Sequence, residues 1–200
     1  LTLENSGAAP LNFYLSEIEH GIIPPDSLIL DPSFEFFDPE IPDNFYWDEY
    51  SYEATTPLCM LETCGYGIGT GPRSGFVWSW FGGITGGDEG YVSQQVVIPS
   101  DDTYVMTFFV EQTYCGYGGA SNYLTLTIDG NEIWRTDGLD PACGALGYRE
   151  VELDLTAYAD DLLHEVKFYS ETVDHGGFFI DDVELNADVV VDISWLSEDY

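Results

Sequence analysis

Basic residues are almost missing from this chain: 4 Lys and Arg stand against 37 Asp and Glu, for a formal net charge of −33 over 200 residues. Phosphate backbones are gripped through Lys and Arg, so nucleic-acid binding is excluded. The same imbalance opposes docking on anionic membranes. Long apolar runs are lacking too, and no membrane insertion is expected. Helical periodicity is nearly absent. The three histidines, His20, His164 and His175, are scattered. There is no Walker loop, dinucleotide fingerprint, HExxH helix or EF-hand loop. Gly71-Pro72-Arg73-Ser74-Gly75 has the wrong spacing for a nucleophile elbow, and no helix follows it. With no oriented catalytic group in view, the chain is not expected to be an enzyme.

What is present points to a packed β protein. Hydrophobic residues make up 44% and aromatics 16%, with 21 Gly and 10 Pro, enough for one core plus a fragment of another domain. Such an acidic surface suits salty surroundings, where screening shortens self-repulsion, or one that collects cations.

Four cysteines favour an oxidising compartment, outside the cell or at its surface. Cys59 and Cys64 bracket four residues and suit a local loop staple, whereas Cys115 and Cys143 sit in two glycine-rich segments. The expected pairs are Cys59–Cys64 and Cys115–Cys143. The longer loop contributes about 3–4 kcal/mol in the chain-entropy picture. The spacing is poor for zinc.

Short strands separated by turns run through the middle of the chain. Tyr91–Pro99 and Tyr104–Val110 flank a turn at Ser100-Asp101-Asp102. Tyr123–Ile128 and Asn131–Arg135 form a hairpin through Asp129-Gly130, the strongest short turn signal present. Glu150–Leu155 alternates apolar and acidic, and Glu165–Ser170 follows. The last strand, Phe178–Leu185 after a glycine pair, places apolar side chains at Phe178, Ile180, Val183 and Leu185, with the alternation slipping by one at Asp181-Asp182. A β-bulge produces such a slip. Carboxylates in an apolar strand need a partner, and with so few Lys and Arg a protein cation is not the expected one. A metal ion is, and all-oxygen ligands point to calcium.

Aromatic residues offer two candidate ligand surfaces. In Gly75-Phe76-Val77-Trp78-Ser79-Trp80-Phe81, alternation puts Phe76, Trp78 and Trp80 on one strand face and Val77, Ser79 and Phe81 on the other. The tryptophans are expected to be a core stripe, with an exposed glycan platform as the alternative. Tyr46 and Tyr50, in an acidic aromatic stretch, are solvated loop and strand residues or, alternatively, a sugar-stacking surface.

Several of these stretches resemble known families. Asp31-Pro32-Ser33-Phe34-Glu35 and Phe179-Ile180-Asp181-Asp182-Val183-Glu184-Leu185 are similar to the first and last strands of the jelly-roll superfamily that holds carbohydrate-binding modules and MAM adhesion domains. Gly71-Pro72-Arg73-Ser74-Gly75-Phe76-Val77-Trp78-Ser79-Trp80-Phe81-Gly82-Gly83 resembles a strand of a bacterial jelly-roll subgroup appended to exported enzymes. The resemblance of the first and last strands to the jelly-roll superfamily implies a structural calcium held by Glu35 and Asp182, with Asp181 the alternate ligand. Leu1–Leu15 and Val189–Ser197 resemble strands of immunoglobulin-like repeats of the abnormal-spindle/Hydin group.

The expected fold is therefore all-β, an antiparallel jelly-roll β-sandwich with extra strands from a second, incomplete immunoglobulin-like sandwich. The expected boundaries are partial immunoglobulin-like strands at 1–20, a linker at 21–30, the jelly roll at 31–187 and a further partial strand at 188–200. The chain reads as a mature or excised fragment. Two functional readings follow. One is a non-catalytic, extracellular, calcium-stabilised binding or adhesion module with glycans as ligands. The other is a structural subunit of an extracellular filament or surface assembly, its terminal strands completed by neighbouring copies of the same chain.

Overall fold

Alternating apolar residues and frequent turns give two facing antiparallel sheets. The computed structural model describes residues 27–67 and 69–187. The strands are β1 (Phe37–Asp38), β2 (Asp43–Asn44), β3 (Asp48–Ser51), β4 (Leu58–Met60), β5 (Val77–Gly82), β6 (Asp88–Val97), β7 (Tyr104–Tyr114), β8 (Tyr123–Ile128), β9 (Asn131–Asp137), β10 (Arg149–Asp154), β11 (Leu163–Thr172) and β12 (Gly177–Ala187). One helical turn, α1 (Leu61–Cys64), follows β4. The first sheet has the order β10-β7-β12-β5-β4 and the second β3-β6-β11-β8-β9, while β1 and β2 form a small ribbon.

The core lies between the sheets. Val77 and Phe81 of β5, Met106, Phe108 and Val110 of β7, and Phe178 and Ile180 of β12 meet Val92, Leu124, Leu126, Val166 and Phe168 of the second sheet. Phe108 packs edge-on against Phe168 at 4.9 Å and Trp134 at 5.0 Å. Burying each such side chain contributes about 1.5–3 kcal/mol. The β8–β9 hairpin turns at Asp129-Gly130, whose φ angles of 51° and 77° are what a two-residue type I′ loop demands.

The slip in β12 is a bulge. Its pairing with β7 shifts register between Asp181 and Glu184, and Asp182 takes φ 50°. The extra residue lets Phe178 and Ile180 before it, and Val183 and Leu185 after it, all reach the core.

The two strand faces of β5 are sorted as alternation requires, but the tryptophan face is not the inter-sheet core. Val77 and Phe81 point inward. Trp78 is fully buried nonetheless, as is Phe179, against which it packs at 5.7 Å. Both lie on the outer face of the first sheet, across which residues 69–76 are fastened. Thr70 donates to Glu111 from its backbone and its hydroxyl, at 3.2 and 2.5 Å. Tyr148 donates its hydroxyl to the Gly71 carbonyl at 2.8 Å. Phe76, by contrast, lies just before β5 and is 72% exposed.

The start of the sandwich needs correction. Residues 27–30 are part of it rather than of a linker: Ser27 bridges to Asn186, Leu28 donates to the Leu185 carbonyl, and Ile29 is fully buried in the core. The immunoglobulin-like strands expected at 1–20 and 188–200 lie outside the described residues.

Candidate functional site

In the first sheet β12 sits between β7 and β5, and Gly177 pairs with both Tyr114 and Gly82. The loop after β5, the loop after β7 and the turn before β12 therefore emerge side by side. Together with Gly67 of the segment preceding β5 they surround a cavity of about 390 Å³ lined by Gly67, Trp80, Gly83, Tyr114, Tyr117 and His175. That volume falls within the range of small-ligand sites, roughly 300–1,000 Å³.

Trp80, Tyr114 and His175 are held in place by their neighbours. Trp80 packs edge-on against Phe179 at 5.3 Å. Gly67, at φ 58°, comes so near the indole that a Cβ there would lie 2.6 Å from its Cη2, so a side chain would displace the ring. The Trp80 indole nitrogen is buried without a hydrogen-bond partner, as is that of Trp78. Tyr114 and His175 meet edge-to-face at 6.5 Å. The His175 ring is fixed on both sides, with Nδ1 2.7 Å from Asp174 Oδ1 and Nε2 2.9 Å from Thr85 Oγ1.

Two further groups lock the loops together. The disulfide Cys115–Cys143 pins the loop between Tyr114 and Tyr117, and the second pair, Cys59–Cys64, also forms as expected. Asn122, fully buried, donates its amide to the Cys115 carbonyl at 3.0 Å and accepts the Val173 N–H at 2.9 Å. One side chain thus joins the tyrosine loop to the histidine turn. Asp174 is a third tie, accepting the Tyr117 N–H at 2.6 Å. That bond, then the His175 N–H, holds the Asp174 carboxyl below its ordinary range. The hydrogen bond with Tyr117, then its charge and that of Asp174, pushes the Tyr114 hydroxyl up.

Of the four aromatic residues singled out in the sequence, only Trp80 lines this cavity. Trp78 is buried beneath the covering segment. Tyr46 packs edge-on against Phe36 and Phe45. Tyr50 is on the second sheet, stacked on Tyr91 at 5.8 Å. Tyr114, Tyr117 and Asp174 were not singled out in the sequence, and His175 appeared there only as an isolated turn residue. Their signal was present but indirect, in the glycine-rich stretches Tyr114-Cys115-Gly116-Tyr117 and Asp174-His175-Gly176-Gly177.

The carboxylates expected to hold calcium all fasten the stretch 73–77. Glu35 Oε1 accepts the N–H groups of Phe76 and Val77 at 2.7 and 2.9 Å. Asp181 Oδ2 accepts those of Arg73 and Ser74 at 2.7 and 3.1 Å. Asp182 Oδ1 accepts the hydroxyls of Ser74 and Ser33, and its other oxygen takes the Arg73 guanidinium. The expectation that no protein cation partners these carboxylates is therefore corrected. Burial, then the neighbouring charge of Asp182, holds the Asp181 carboxyl well above its ordinary range. Among the described residues no three His, Cys, Asp or Glu side chains come together as a metal-holding group. A calcium ion at Asp182 would have to displace Arg73, and the other donors around the pair are N–H and O–H groups aimed at the oxygens it would need. As arranged, these residues do not fit the ion.

No protein-family model and no curated protein sequence matches the chain. Solved structures do. TmCBM61 in complex with β-1,4-galactotriose is 16% identical, with a TM-score of 0.55 over 81% of this chain and 99% of that one. A family 16 carbohydrate-binding module gives 14% identity and a TM-score of 0.46 over 79% of this chain and 98% of that one. The K2 cleaved adhesin domain of Lys-gingipain gives 14% and 0.48 over 78% and 96%. At such identities the first likeness shows the fold alone, a β-sandwich of the kind found in carbohydrate-binding modules.

Proposed function

We propose that this chain is a non-catalytic, extracellular glycan-binding module that takes a sugar ring against Trp80 and Tyr117 in the cavity at the β5–β7–β12 end of the first sheet. The observation that carries this reading is the cavity's composition: three aromatic rings, one imidazole and two glycines around a shallow hollow. Pyranose rings present C–H faces that pack on aromatic faces and hydroxyls that need partners at the edges. Here the edges offer two phenols, and the imidazole, its nitrogens held by Asp174 and Thr85, adds a further flat face. Two disulfides suit an oxidising compartment. None of the described helices is long and apolar enough to cross a membrane.

The order Thr85–His175–Asp174 resembles a hydrolytic relay. Both ring nitrogens are taken up in that line, Nδ1 by Asp174 and Nε2 by Thr85. The relay is better read as a device for fixing the imidazole. The reading in which copies of the chain complete one another's terminal strands rests on residues outside those described.

A glycan array tests the proposal, probed with the chain and with Tyr117→Ala, a position 89% exposed where truncation costs the fold little. The expected result is binding to one glycan class, starting with β-1,4-linked hexose oligomers, and loss of at least tenfold in the variant. Binding that ignores the substitution would place the site elsewhere.

A further inference from the structure

Resting on the glycan reading, we infer that the cavity prefers a glycan carrying a protonated amine, an amino sugar whose nitrogen is not acetylated. The first observation is how this chain treats its own cations. Each of its four basic residues lies over an aromatic ring. Arg73 Cζ is 3.3 Å from the centre of Phe109, Arg135 Cζ 4.0 Å from that of Tyr123, Arg149 Cζ 5.9 Å from that of Trp134, and Lys167 Nζ 3.8 Å from that of Tyr91. The three arginines also reach carboxylates. All four cations are thus engaged elsewhere, and no Lys or Arg lines the cavity. The rings of Trp80, Tyr114 and Tyr117 make up an aromatic wall that attracts positive charge through the negative faces of its π-systems.

The second observation is the charge beside that wall. Asp174 accepts the backbone N–H of both Tyr117 and His175 and lies 2.7 Å from His175 Nδ1, so its carboxylate is fixed beside the imidazole and held below its ordinary range. The remaining field has the same sign, since the chain carries a formal net charge of −33. An ammonium group is steered toward such a surface and a uronate or sialate is repelled from it. Aromatic faces with a carboxylate beside them are the features by which proteins recognise organic cations. The sugar hydroxyls would use the phenols, as in the parent reading.

The test is calorimetric titration of the full chain with oligomers of glucosamine, N-acetylglucosamine and a neutral hexose of equal length. It is run at a pH that protonates the amine, in low and in high salt, with wild type and Tyr117→Ala. The expected result is that the free-amine oligomer binds roughly two- to thirty-fold tighter than its acetylated counterpart. That margin narrows with salt, and Tyr117→Ala abolishes most of it although the net charge is unchanged. Equal or tighter binding of the acetylated or neutral oligomers would overturn the inference and leave the glycan reading standing. A free-amine preference that survives Tyr117→Ala would also overturn it, because attraction to the acidic surface at large would then explain the effect. No binding by any of the three oligomers would overturn the inference as well, while the glycan reading is decided separately by the array.

Discussion

Arg73 donates to the carboxylate of Asp182, and its guanidinium lies 3.3 Å from the centre of the Phe109 ring. In a chain with four basic residues, one of them is placed at the bulge where two acidic side chains occur in sequence. The pair ties the covering segment to the last strand. Arg73→Met keeps the stem over Phe109 and removes the charge. With 38% of the arginine side chain and 13% of the aspartate exposed, the expected loss is about 1–2 kcal/mol, between the values for surface and buried pairs. A urea midpoint no lower than that of the wild type would show the pair to be incidental.

The same arrangement makes a prediction about calcium. Because Arg73 occupies Asp182, adding a chelator to the wild-type chain should leave its melting temperature unchanged. A fall of several degrees, restored by millimolar calcium, would mean that the ion displaces Arg73 in solution.

Glu49 sets a pH dependence. Desolvation, with the charges of Asp43 and Asp48 adding to it, pushes its carboxyl from 4.5 up to about 7. Ionisation is then harder in the folded chain than in the unfolded one. Stability is at its fullest below pH 4.5 as far as this group is concerned and falls as pH rises toward 7, by at most about 3 kcal/mol and by less where solvent screens it. Glu49→Gln should match the wild type near pH 4 and exceed it near pH 8, measured by denaturant titration. The opposite order would show that the carboxylate has a partner it gains by ionising.

Much of this architecture was legible in the sequence, and the reasons are local. The bulge announced itself because one extra residue in β12 shifts an alternation that otherwise aims Phe178, Ile180, Val183 and Leu185 at the core. The β8–β9 turn was legible because Asp129-Gly130 supplies the backbone angles that few other pairs tolerate. Both disulfides followed from spacing and surrounding glycines. The cavity was not legible, because it exists only where three loops meet. Tyr114 and His175 are 61 positions apart in the chain and adjacent only because β12 pairs beside β7. Trp78 and Trp80 illustrate the same limit. Alternation assigns them one face, but it cannot say that residues 69–76 cover Trp78 and stop short of Trp80.

The loops around the cavity should be separable from the sandwich. Replacing Cys115 and Cys143 by Ala opens a loop whose ends are 28 residues apart, a cost of about 3–4 kcal/mol in the entropic model. Asn122→Ala breaks the tie between the Cys115 carbonyl and Val173, at about 1–3 kcal/mol for the buried groups left unpaired. Each change should weaken glycan binding at temperatures where circular dichroism still reports a folded sheet. Unaltered affinity in both would mean that the loops do not form the site.

The central claim, that a sugar rests on Trp80, is tested most directly by the indole N–H resonances of the chain in ¹H–¹⁵N spectra during titration with a bound oligosaccharide. The Trp80 indole signal should move with saturation while that of Trp78, buried under the covering segment, stays in place. A titration in which Trp80 is still, and the shifts gather around Tyr50 and Tyr91 on the other sheet, would contradict it.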